Sequence, residues 1–134
     1  MPSLSLFDIA GRAMSAQLVR LNTTASNLAN AGAVSASPQG AFRALKPVFR
    51  TYYEGQTGKA TVGVLGVVPA AVEPGRRHEP GHPLADAQGY VHLAAVDPHA
   101  ELVELVETAR QYQNNIEVLE TAKALTLETL RLGR

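Results

Sequence analysis

The sequence predicts an α+β protein: two long terminal α-helices that pack as a coiled-coil-like core, with a small β-rich domain between them. Three observations carry this. Apolar residues recur at helical spacing over 5–30 and again from 98 onward. Six of the eight prolines fall between 38 and 83, where they break any long helix. Between those prolines lie runs rich in valine, phenylalanine and tyrosine, side chains that suit a pleated sheet. The 134 residues suffice for one ordinary domain, divided by this punctuation at 1–30, 31–96 and 97–134.

In the first helix Phe7, Met14, Leu21 and Leu28 follow one another every seven residues, and Leu4, Gly11, Leu18 and Ala25 form a second row. Together they make one narrow stripe. Ser5 followed by Asp8 fits a capping box at the start. Asn30 and Gly32 suit a left-handed stop. Asn27 and Asn30, three apart beside the seam residue Leu28, are unusual inside a helix. Their amides either fix register through hydrogen bonds between chains or cap the helix end.

In the middle segment, "AFRALKPVFRTYYE" and "ATVGVLGVVPAAVE" are expected to be strands, with Gly63 and Gly66 pointing to bulges. "GYVHLAAV" supplies a third. Residues 55–60, GQTGKA, hold glycine and lysine in the manner of a phosphate loop, but the first glycine stands too close and Ala60 replaces the magnesium-binding hydroxyl. A hairpin turn is the expectation. Pro80-Gly81 is a turn pair, which predicts type II geometry with Gly81 at positive φ.

The last helix should open at Asp97-Pro98, an acceptor cap followed by proline at the first helical position. Leu102, Leu105, Ala109, Tyr112, Ile116 and Leu119 then step by three and four. Beyond them the stripe drifts to Val118, Ala122, Leu125, Thr129 and Leu132, the pattern of a stutter. Glu101, Glu104 and Glu107 near the start and Lys123, Arg131 and Arg134 near the end suit the helix dipole. At 1.5 Å per residue the two helices would run about 40 and 50 Å. Stripes this narrow match a coiled-coil seam, and a middle segment with its own strands to cover cannot bury both helices. The pattern calls for assembly with other chains.

Composition removes several functions. Twelve basic and twelve acidic residues balance, so no field draws in nucleic acid or an anionic membrane. No apolar run reaches membrane-spanning length, and the N-terminal stretch lacks a secretory signal's basic region and apolar core. Cysteine is absent, which excludes disulfides and thiolate sites.

One motif invites an enzymatic reading. His78-Glu79-Pro80-Gly81-His82 matches the H-E-x-x-H of zinc hydrolases, which works only when both histidines share a helical face. Pro80, Gly81 and Pro83 forbid that helix, proline alone costing roughly 3 kcal/mol inside one. The pattern is therefore expected to be a surface turn. His92 and His99 have no ligand partners at useful spacing, and Asp8 and Asp86 have no serine–histidine pair to join. No catalytic group, metal or cofactor is expected.

The stretch "ASNLANA" resembles the signature of the axial family of bacterial flagellar rod and hook proteins. "FDIAGRAMSAQLVRLNTTASNLANA", "EPGHPLADAQGYV" and "YQNNIEVLETAKALTLETLRLGR" are similar, in order, to three blocks of its proximal-rod members. On this resemblance Asn27, Leu28 and Asn30 belong to the N-terminal motif. Pro80, Gly81, Ala85, Asp86, Gly89 and Tyr90 belong to a middle block, and Tyr112, Gln113, Asn115, Glu117 and Leu119 to a C-terminal one. Thr126 departs from it, standing where methionine is usual. The resemblance implies a structural, non-enzymatic subunit whose terminal helices pack in a tube with copies of itself and with other rod proteins. It implies no nucleic-acid or small-molecule partner. It also implies export by the flagellar type III apparatus, without a cleaved signal, to a rod in the periplasm. With the seam positions, the expected assembly residues are Phe7, Met14, Leu18, Leu21, Asn27, Leu28, Asn30, Leu105, Tyr112, Gln113, Asn115, Ile116, Leu119 and Leu125. Two functions compete with it: a zinc hydrolase using His78, Glu79 and His82, and a soluble coiled-coil adaptor or export chaperone.

Overall fold

Ser5 opens the first helix, α1 (Leu6–Asn30), through the expected capping box. Its hydroxyl accepts the Asp8 amide at 3.1 Å while the Asp8 carboxylate accepts the Ser5 amide at 2.9 Å. The structure, a computed structural model, describes residues 5–133; Leu4 of the second apolar row and Arg134 lie outside them. The helix does not stop in the expected way. Ala31 caps it with right-handed backbone, its amide reaching back to the Leu28 carbonyl, and neither Asn30 nor Gly32 has positive φ. A tightened last turn replaces the left-handed residue.

The middle holds five strands, β1 (Val34–Ser35), β2 (Leu45–Glu54), β3 (Lys59–Pro69), β4 (Arg76–His78) and β5 (Tyr90–Leu93). β2 and β3 form a long antiparallel hairpin whose turn carries Gly58 at φ 67°, as the glycine-rich GQTGKA segment predicted. Val48 pairs with Gly66 and the next residue, Phe49, with Val64, so Leu65 is the extra residue of a β-bulge beside Gly66. β1, β5 and β4 make a separate antiparallel sheet in that order. β5 is the third expected strand. β1 and β4, two and three residues long, carry no sequence signal of their own and exist because β5 pairs with them on both sides.

Asp97 caps the second helix, α2 (Pro98–Leu132), accepting the amides of His99 and Ala100 at 3.0 and 3.3 Å. It runs antiparallel to α1, which is wedged between α2 and the β2–β3 hairpin. The faces in contact are small. Ala10, Ala16, Thr23, Thr24 and Asn27 are the buried residues of α1, and Glu101, Thr108 and Ala122 those of α2.

The contact within the chain does not centre on the expected stripes. The row Phe7, Met14, Leu21, Leu28 is displaced from the face α1 buries: Phe7 and Leu18 are each 45% exposed, and Met14, Leu21 and Leu28 are half-buried. In α2 the inward row is Glu101, Leu105, Thr108, Tyr112, Asn115, Leu119 and Ala122, alternating steps of four and three with no stutter. Ala109 is exposed instead. The row ends at Ala122 because α1 ends. α2 is ten residues longer (35 − 25), and every residue from 123 to 132 is exposed.

Candidate assembly surface

Asn27 ties the three parts of the molecule together. It is 1% exposed. Its side-chain oxygen accepts the Leu45 amide at 2.7 Å, and its side-chain nitrogen donates to the Leu45 carbonyl at 3.0 Å. The carboxamide thus binds the first residue of β2 as a neighbouring strand would. The same nitrogen donates to Glu101 at 3.1 Å, fixing α2 against α1. Glu101 is itself buried, and Lys46 Nζ lies 3.5 Å from its other oxygen. A buried carboxylate is tolerable only with such partners. One turn along α2, Arg20 of α1 pairs with Glu104. Asn30 does something smaller, donating to the Ser26 carbonyl within its own helix at 2.8 Å. Glu101, Lys46 and Arg20 went unrecognised in the sequence. Glu101 read as a helix-dipole charge, and nothing local links it to an asparagine 74 residues away.

Around this joint the helices present their larger side chains outward. Leu6, Val118, Ala122 and Leu125 border an open cleft where the start of α1 meets α2. Leu102, Val103 and Val106 form an exposed apolar ledge near the start of α2. Leu127, Leu130 and Leu132 stand 49–81% exposed on the end that α1 does not reach. Of the other expected assembly positions, Leu105, Tyr112, Asn115, Ile116 and Leu119 are half-buried between the helices, and Gln113 is exposed.

The middle block folds around Asp86. One carboxylate oxygen accepts the amides of Gln88 and Tyr90, both at 2.9 Å, and the other lies 3.6 Å from His92 Nε2. The Tyr90 amide above all, then the Gln88 amide and the His92 ring, hold the Asp86 carboxyl below the usual carboxylate range. Gly89 has φ 80°, and the Tyr90 ring centre lies 4.9 Å from that of His78, in an edge-to-face arrangement, and 4.7 Å from the Arg76 guanidinium. The turn at Pro80-Gly81 is present, closed by the His82 amide on the Glu79 carbonyl at 3.0 Å. It is not type II, because Gly81 does not have positive φ. The H-E-x-x-H residues diverge. His78 meets Tyr90 edge to face, Glu79 pairs with Arg77, and His82 Nδ1 accepts the Leu84 amide.

The arrangement leaves apolar helix faces open to other helices, and the sequence has relatives among known proteins. Residues 7–34 match the family described as flagella basal body rod protein, and residues 87–132 match the C-terminal region described for the flagellar basal body rod FlgEFG proteins. The chain is 45% identical to the flagellar basal-body rod protein FlgC of Salmonella typhimurium over the full length of both. It is 42% identical to the FlgC of Escherichia coli O6:H1, again over both full lengths. To that of Aquifex aeolicus it is 33% identical, across 93% of this chain and 92% of the relative.

Proposed function

The chain belongs to the FlgC family of flagellar basal-body rod proteins, and from that premise we propose how it builds the rod. It is a structural subunit of the basal body and not an enzyme. In our reading it polymerises with copies of itself and with paralogous rod proteins into a tube that passes motor torque outward. The terminal segments 1–30 and 97–134 form the tube core, and 31–96 forms an outer domain fastened at Asn27. The subunit reaches the periplasm through the flagellar export apparatus.

One observation supports this above the rest. The residues that α1 and α2 bury are mostly alanines and threonines, while Phe7, Leu18, Val106 and Leu130 stay 45–64% exposed. Large apolar side chains grouped on helices mark surfaces awaiting a partner. The test is a chain with Phe7→Asp and Leu18→Asp. Both side chains are half in water already, so the thermal midpoint should move little. Isolated basal bodies should nevertheless lack the variant, and the cells should not swim. Normal incorporation would reject the helix faces as the assembly surface.

A further inference from the structure

Polar pins join α1 to α2 at one end of the pair. Asn27 donates to Glu101 and Arg20 pairs with Glu104, both within the first two turns of α2. Past Glu104 no hydrogen bond or ion pair crosses from one helix to the other among the described residues. At the far end the helices part around a cleft of about 440 Å³, bordered by Leu6, Val118, Ala122 and Leu125. Leu6, Val118 and Leu125 are 46–63% exposed there. Apolar surface left in water favours any apolar occupant that the geometry can deliver.

The helix start beside this cleft is built to deliver one. Ser5 and Asp8 form a reciprocal capping box, and the Ser5 backbone is extended (φ −83°, ψ 163°), so the chain leaves the helix axis there. With such a box, an apolar residue before the cap packs on the fourth helical residue, a staple that fixes how the chain enters. Counted from Ser5, those two positions are Leu4 and Ile9. Both are apolar, and Ile9 is half-buried. Ile9 stands three residues after Leu6, on the neighbouring part of the same helix face. A side chain held on Ile9 therefore sits at the mouth of the cleft. Had the helix run on through Leu4, the seven-residue row would instead place it with Leu18, on the exposed side. The cap decides between the two placements. Reach is no obstacle, since two extended residues span about 7 Å. An occupant tethered beside the cleft also has a higher local concentration than any separate chain. Residues 1–4 carry no charged side chain, so nothing ionic is desolvated.

We propose that Leu4, stapled on Ile9, fills this cleft and fastens the far end of the helix pair against Val118 and Leu125. The occupant is the chain's own segment 1–4, and it does at one end what Asn27 does at the other. The inference goes beyond the rod reading and does not depend on it. The chain has no cysteine, so engineered pairs report cleanly. A disulfide forms only where the two Cα atoms come within about 7 Å. The full chain with Leu4→Cys and Leu125→Cys should close an intrachain bridge on mild oxidation in isolated basal bodies. The purified chain gives the same reading should the cysteines prevent incorporation. With Leu4→Cys and Leu127→Cys no bridge should form, because Leu127 lies across the helix from Leu125. No bridge to position 125, an equal bridge to 127, or a bridge to a second copy or another basal-body protein would overturn the proposal. A second measurement leaves the cysteines out. Leu4→Ala should speed amide exchange at Ile9 and Ala10 several-fold and leave Asn27 unchanged, while Leu4→Met should match the unsubstituted chain. Unaltered exchange in Leu4→Ala would equally overturn it. Basal bodies that lacked the unsubstituted chain would sink the rod reading and leave this one to the purified protein.

Discussion

Replacing Asn27 with alanine would strand the Leu45 amide, the Leu45 carbonyl and one oxygen of the buried Glu101 together. Each unsatisfied buried group costs about 1–3 kcal/mol, and groups sharing one site do not add fully. Asn27→Ala should therefore lower the free energy of unfolding by about 3 kcal/mol in urea titration. Asn30→Ala removes only a bond within its own helix and should stay within about 0.5 kcal/mol. Equal losses would show that the two asparagines of "ASNLANA" serve alike. The motif itself was legible, because asparagine is a poor interior helix residue and two of them three apart ask for a reason. The partners were not. Lys46 and Glu101 look like any solvated charges until the fold brings them to one point.

Among the elements, glycine placement decides which turns can change. At Gly89, φ is 80° and an added Cβ would lie 3.0 Å from Pro80 Cβ and 3.1 Å from His78 Nε2. Gly81 has open space and ordinary φ. Gly89→Val should thus cost about 1–2 kcal/mol or more from the backbone alone, and loosen the block that Asp86 organises. Gly81→Val should be nearly silent. Thermal melts of the two variants give the order, and a reversed order would mean the turn has been placed wrongly. Elements with local chemistry were readable in advance: Ser5 and Asp8, Asp97-Pro98, the glycines of the hairpin. β1 and β4 were not, since Val34–Ser35 and Arg76–His78 become strands only by pairing with β5.

At the scale of the whole molecule, a sequence stripe adds together contacts made within the chain and contacts made between chains. That is why the seven-residue row through Phe7 and Leu21 was visible in the sequence although the chain's own helix contact does not centre on it. The same distinction predicts the dynamics of the free subunit. Amides from 123 to 132 lie in a stretch of helix whose side chains are all exposed and should exchange within seconds, whereas those of Thr23, Asn27 and Thr108 should be slow. Hydrogen exchange read by mass spectrometry on dilute protein checks this, and uniform protection along α2 would refute it. The joint at Asn27 has one more consequence, and it concerns time. Its bond to Glu101 closes a loop of 74 positions, while the hairpin closes over only a few residues at Gly55–Gly58. Closure entropy rises with loop length, so local contacts form early and distant ones late. The helix pair is therefore the last part to zip, and a chain still held unfolded cannot yet display the surface by which it would stick to its neighbours.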